Sequence, residues 1–174
     1  MKIKFIVIFF IFLYPWFLYA TEENISKSFK LTFWGTEIGW FKMKAEIKEK
    51  KYKISSTGSS KGLINLFSEY NISSGSIGTI SKDDVLRPEE AVLSWSTRSN
   101  SNRIKLEYHK EKLIHYQVEL PFKNKKYRMD PIGQKNTLDP VSFMLWFLRD
   151  RSSTNLCKGG VRVLDGERLT VISF

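Results

Sequence analysis

One cysteine, Cys157, stands in the whole chain of 174 residues. A lone thiol excludes an internal disulfide. It reads either as a small buried hydrophobe or as a thiol without its partner. Histidine is nearly as scarce, with only His109 and His115. No Gly-rich phosphate cradle precedes a helix pattern, and no G-x-S-x-G elbow is present. These absences leave an enzyme without a nucleophile, a tuned acid–base pair or a cofactor motif.

One feature the chain does carry is an apolar run over residues 5–19, FIVIFFIFLYPWFLY, behind Lys2 and Lys4. A basic start, an apolar stretch and a small residue at Ala20 make an export signal over residues 1–20. A retained membrane anchor is the competing reading. As a helix the run would reach roughly 22 Å, short of the ~30 Å hydrocarbon core. Pro15 interrupts it, which suits the end of a signal better than mid-span. Leu18, bulkier than signal peptidase prefers, keeps the anchor reading open. The expected location is periplasmic or secreted, with residues 21–174 as a single β-rich domain.

Formal net charge is +10 and lysine outnumbers arginine. Loss of Lys2 and Lys4 with the leader leaves the rest basic. Such a balance suits anionic lipid, lipopolysaccharide or nucleic acid, and export argues against nucleic acid. The plainer reading is a solvated lysine face on a sheet. Aromatic residues, at 14%, are too many for a disordered chain.

Period-two alternation dominates the sequence. Phe29, Leu31 and Phe33 alternate with polar residues, and a Gly35-Thr36-Glu37 turn follows. Phe41, Met43, Ala45 and Ile47 then take one face, and Lys42, Lys44, Glu46 and Lys48 the other. This is the pattern of strands buried on one side only. Tyr52 and Ile54 mark a third strand. Residues 58–62 read as a loop, and 63–67 as a helical turn or a plug against the sheet. Residues 69–81 read as a strand pair of weak register. Pro88 makes 84–97 an edge or a loop entering a strand at 91–97. Residues 98–102 read as a polar turn. A hairpin follows, with Ile104, Leu106 and Tyr108 facing Ile114, Tyr116 and Val118 across residues 109–112. Residues 121–137 form a long basic connection.

The period then changes. Val141, Met144, Leu145 and Leu148 repeat at helical spacing behind Asp139 as N-cap and Pro140 at the first helical position. This predicts a helix at about 139–150, its bulk (Phe143, Trp146, Phe147) packed across a sheet. A last hairpin turns at Asp165-Gly166.

Three constellations could carry chemistry. Glu107, His109 and His115 share one polar face of a hairpin, a weak zinc signature outweighed by the solvated-face reading. No metal or cofactor is therefore expected. Asp139 is explained by capping rather than catalysis. The lysines of 42–53 and of 123–128 offer a basic face to a membrane surface or an anionic polymer.

The order of pieces resembles the exported bacterial family of unknown function DUF3108. The resemblance rests on Gly35 and Gly39 around the first turn, the Tyr52-x-Ile54 strand, and Gly62 before an apolar segment. It rests most on Thr137-Leu138-Asp139-Pro140-Val141-Ser142 and on Cys157 followed by Val163-Leu164-Asp165-Gly166-Glu167-Arg168. It implies a mainly antiparallel curved sheet or open β-barrel with one covering helix, and no established activity. Similar chains run on beyond the Asp-Gly hairpin, and some carry a second cysteine there. A C-terminally truncated member, with an exposed final strand and an unpartnered Cys157, is expected on that comparison.

The favoured function is a non-enzymatic binding or carrier module for an apolar ligand, with a lipid or lipidated envelope component as partner. The groove would be walled by Phe41, Met43, Ile47, Tyr52, Ile104, Tyr108, Trp146 and Phe147. An ordinary filled core is the competing account of these residues. The alternative function is an envelope structural or secreted interaction protein using its basic face or an open sheet edge. An enzyme ranks last.

Overall fold

The computed structural model describes residues 22–62, 64–120, 129–149 and 160–173. The expected export signal over residues 1–20, the basic run 123–128 and Cys157 lie outside the described residues. Seven antiparallel strands follow one another as a meander: β1 (Glu23–Phe33), β2 (Thr36–Lys48), β3 (Lys51–Ser60), β4 (Tyr70–Ile80), β5 (Leu86–Thr97), β6 (Ser101–His109) and β7 (Lys112–Val118). The sheet is not closed into a barrel; β1 and β7 are its ends. Between β3 and β4 lies a helical turn, α1 (Ile64–Phe67). A second helix, α2 (Pro140–Leu148), and a hairpin of β8 (Gly160–Leu164) and β9 (Leu169–Ser173) complete the chain.

The alternating strands fold as their pattern dictates. Met43, Ala45, Ile47, Tyr52 and Ile54 are buried while the lysines between them face water. Pairing places residues of one face in rows across the sheet. One row runs Ala45, Ile54, Ser76, Ala91, Leu106 and Tyr116; the next runs Met43, Ser56, Ser74, Leu93, Ile104 and Val118. Small side chains fill the middle of these rows. There α2 lies across β3, β4 and β5. A helix can approach a sheet closely only where the side chains beneath it are short.

Two apolar clusters result. One lies under α2 and holds Met43, Ile47, Tyr52, Ile54, Val141 and Leu145. The other holds Ile104, Leu106, Tyr108, Leu113 and Leu164. The β8–β9 hairpin seals the second. Its Gly166, at φ +107, lies where an added Cβ would stand 3.1 Å from both Ile104 and Tyr116. A positive φ and a close approach together explain why glycine follows Asp165.

Several local readings are corrected. Residues 58–60 belong to β3 rather than to a loop. The segment 69–81 holds one strand, Tyr70–Ile80, not a pair: the Ser- and Gly-rich β4 is specified by neighbours on both sides and by the helix above it. Pro88 sits inside a central strand, not at an edge, because the register shifts opposite it between Ile77 and Gly78. Asn102 already belongs to β6, and the first turn is Trp34 and Gly35. Ile114 faces solvent and Leu113 is buried instead, because a bulge between Glu107 and Tyr108 gives β7 an extra residue. Phe67, 88% exposed, is no plug against the sheet.

Gly78 faces Tyr52 across the β3–β4 pair, and a Cβ there would stand 2.3 Å from the Arg87 carbonyl and 2.6 Å from the Tyr52 hydroxyl. Gly78→Ala should therefore lower unfolding free energy by about 2 kcal/mol or more, read by urea denaturation. An unchanged midpoint would show that the Arg87 backbone and the Tyr52 ring both give way without cost.

Candidate functional site

The helix begins where the chain is pinned from two directions. Leu138 donates its N–H to the Arg162 carbonyl, and Leu164 donates to the Leu138 carbonyl. The residue before the cap is thus stitched to β8. Asp139 is next, 0% exposed, its Oδ1 accepting from the N–H groups of Val141 and Ser142, each at 2.9 Å. This is an N-cap that satisfies two of the orphan donors of the helix.

The other carboxyl oxygen ties the helix to the sheet. Asp139 Oδ2 lies 2.6 Å from Ser142 Oγ and 2.9 Å from Ser76 Oγ, on β4. Ser142 Oγ lies 2.8 Å from the Tyr52 hydroxyl, on β3, and 2.9 Å from Ser76 Oγ. Each serine hydroxyl has one hydrogen. With the carboxylate ionised, Ser76 and Ser142 both donate to it and Tyr52 donates to Ser142. Ser76 Oγ also lies 3.1 Å from the Glu90 carbonyl. A protonated Asp139 could therefore donate to Ser76, whose own hydrogen would turn to Glu90. The cluster accommodates both charge states.

Burial dominates the electrostatics. It raises the pKa of Asp139 above the ordinary carboxyl range, against the pull of its bonds to Ser142, Ser76 and Val141. It pushes the Tyr52 and Tyr108 phenols well up, and the nearby Asp139 charge adds to both. A wholly buried carboxyl cannot meet a substrate arriving from solvent, so Asp139 acts as cap and anchor.

Anchoring α2 over the middle of the sheet leaves an apolar groove beside it, of about 790 Å³. Its floor is Ser56, Ser74, Ile72 and Leu93. The helix supplies Val141, Phe143, Met144, Phe147 and Leu148. Phe29, Lys30, Leu31 and Phe41 form the opposite wall, and β9 contributes Ile172. The Phe29 and Phe41 rings pair across β1 and β2 at 6.3 Å. A helix hydrophobic all round belongs between two apolar surroundings. Here the sheet is one and the groove is the other, and Phe147 remains 52% exposed.

The family described as protein of unknown function (DUF3108) matches residues 28–174. The chain belongs to the DUF3108 family. No curated protein and no solved structure matches it. The Leu-Asp-Pro helix start and the Asp-Gly hairpin meet in space through Leu138 and β8.

The eight residues expected to wall a groove divide. Phe41 and Phe147 line it. Met43, Ile47 and Tyr52 are buried beneath the helix, with Trp146 half-buried against them. Ile104 and Tyr108 lie in the other cluster. Sequence reasoning missed Ile72, Leu93, Phe143, Met144 and Ile172 as lining; only the cross-strand rows and the seat of the helix bring them together. Glu107 and His115 do face each other, as the hairpin predicts, and Glu107 pairs with Lys105 at 2.7 Å.

Asp139→Ala removes a cap and strands buried hydroxyls, so it should cost about 3 kcal/mol in urea unfolding. A loss within experimental error would mean that the cluster anchors nothing. The pH dependence has a definite sign. With its pKa raised, folded Asp139 holds a proton more tightly than the unfolded chain does. Its contribution to stability is complete below the ordinary carboxyl range and falls as pH climbs through the raised value. The stability advantage of wild type over Asp139→Asn should therefore be larger in acid than at neutrality. A pH-independent difference would contradict the raised pKa.

Proposed function

We propose that this domain is an exported, non-enzymatic binding or carrier module for an apolar or lipidic ligand, working in the periplasm or outside the cell. The observation that carries this reading is the groove between α2 and β1–β2. A wall mostly of Phe, Leu, Ile, Val and Met side chains, with Ser56 and Ser74 on the floor and Lys30 as the one charged residue beside it, suits hydrocarbon chains rather than a polar solute. The leader over residues 1–20 supports export. Among the described residues no helix is long and apolar enough to cross a membrane.

The chain produced without residues 1–20 should carry lipid when purified, detected by native mass spectrometry before and after solvent extraction. It should also bind a fluorescent fatty acid saturably. Ser74→Trp would place an indole on the groove floor, and Phe147→Glu would set a charge in its wall at an exposed position that folding tolerates. Each should weaken probe affinity at least about tenfold, equivalent to about 1.4 kcal/mol. Delipidated protein that binds no probe would overturn the reading. A reporter fused behind residues 1–20 should leave the cytosol; retention there would remove the exported part of it.

A further inference from the structure

Position 27 interrupts the apolar side of β1. Cross-strand pairing sets Lys27 opposite Met43, which is fully buried, so Lys27 stands on the core-facing side of the sheet between Ile25 and Phe29. The same row continues across the sheet as Met43, Ser56, Ser74 and Leu93. The last three of these floor the groove. Lys27 therefore occupies the place where that floor meets β1, the open end of the sheet. Phe29, the next residue on this side, is groove wall, about 7 Å along the strand. A lysine stem lies along such apolar surface and keeps its ammonium in water.

The charges around this end of the groove are of one sign. Lys30 borders the groove from the same strand, and among the described residues no carboxylate lines it. Asp139 is buried at the helix start with both oxygens occupied. Glu23 shares the side of Lys27 but lies four residues back, roughly 13 Å away, beside Lys50, Lys82 and Arg149. Lys27 is exposed and forms no ion pair among the described residues.

We infer that the groove takes an amphiphile with a single anionic head: Lys27 pairs with the head at the β1 edge, and the hydrocarbon tail runs inward over Ser56 and Ser74. The inference rests on the carrier reading above and narrows its ligand. An apolar wall alone accepts any hydrocarbon; a cation at its open end discriminates among heads. From β1 to β5 the row covers four strand spacings, ~19 Å, which suits a long acyl chain laid across the strands. The head stays at the rim, where water and Lys27 both solvate it, so no charge is buried. An inward-facing lysine on an edge strand can also block pairing with a second sheet. That role predicts self-association when the lysine is replaced, and no preference among heads.

Myristic acid, myristyl alcohol and tetradecyltrimethylammonium share a tail and differ in the head. Displacement of a neutral fluorescent dye from the chain without residues 1–20, which retains every described element, measures the affinity of each below its micelle-forming concentration. At neutral pH the acid should bind about fivefold more tightly than the alcohol, the scale of one solvent-facing ion pair, and the ammonium more weakly than either. Added salt should shrink the difference. Lys27→Gln should bring the acid to the affinity of the alcohol and leave the alcohol unchanged. Lys27→Glu should make the ammonium the preferred head. Equal binding of acid and alcohol by wild type would overturn the inference and leave the carrier reading intact; binding of none of the three would remove both. An acid preference that survives Lys27→Gln also overturns it. So does a Lys27→Gln chain that loses all three ligands alike, or one that light scattering finds associated with its head preference kept, since Lys27 would then guard the sheet rather than the ligand.

Discussion

A carboxyl group taken wholly out of water holds this fold in its working shape. Asp139 would be costly to bury without partners. Four contacts offset that cost: two N–H groups at the start of its own helix and the hydroxyls of Ser142 and Ser76. Ser142 passes the connection on to Tyr52. Three parts of the chain far apart in sequence are therefore fixed at one point: β3, β4 and the helix start. The β8 strand reaches the same point through Leu138. An apolar contact could hold the helix against the sheet, but not in one register; a buried directional network can do both.

The consequences run outward from that anchor. With its first turn fixed over Ser76 and its far end tied by Arg149 to Asp84 at 2.7 Å, α2 crosses the sheet without covering all of it. The remaining concave surface, between the helix and the β1–β2 hairpin, is apolar and open. A filled core and a groove are thus both present, in adjacent halves of the same face. The residues of alternating strands nearest Asp139 are core. Those toward the Trp34 end line the groove.

Much of the architecture was legible because the signals were local. The run Phe41, Met43, Ala45, Ile47 could only be a strand buried on one side, and the Asp-Pro start could only open a helix. The pairing of Glu107 with His115 depends on a two-residue turn and the bulge beside it together, so the turn alone did not fix it. Other features were not local. Nothing in Ser76 alone says that it meets a carboxyl 63 positions later. The Ser- and Gly-rich β4 looked weak because its small side chains make sense only beneath a helix. Ile114 and Pro88 defied simple alternation because a bulge and a register shift depend on the neighbouring strand. The groove was foreseen as a kind of surface, yet its walls were mixed with core residues. Period two tells which face a side chain takes, but not how much of that face the helix covers.

Native-state hydrogen exchange tests the central claim most directly. The N–H groups of Val141 and Ser142, held by Asp139, should open only with the whole domain, at the free energy of global unfolding. Exchange of these two amides through an opening several kcal/mol cheaper, with the β3 and β4 amides still protected, would contradict the account. The helix would then be a loosely held flap, and the groove beside it would have no fixed wall.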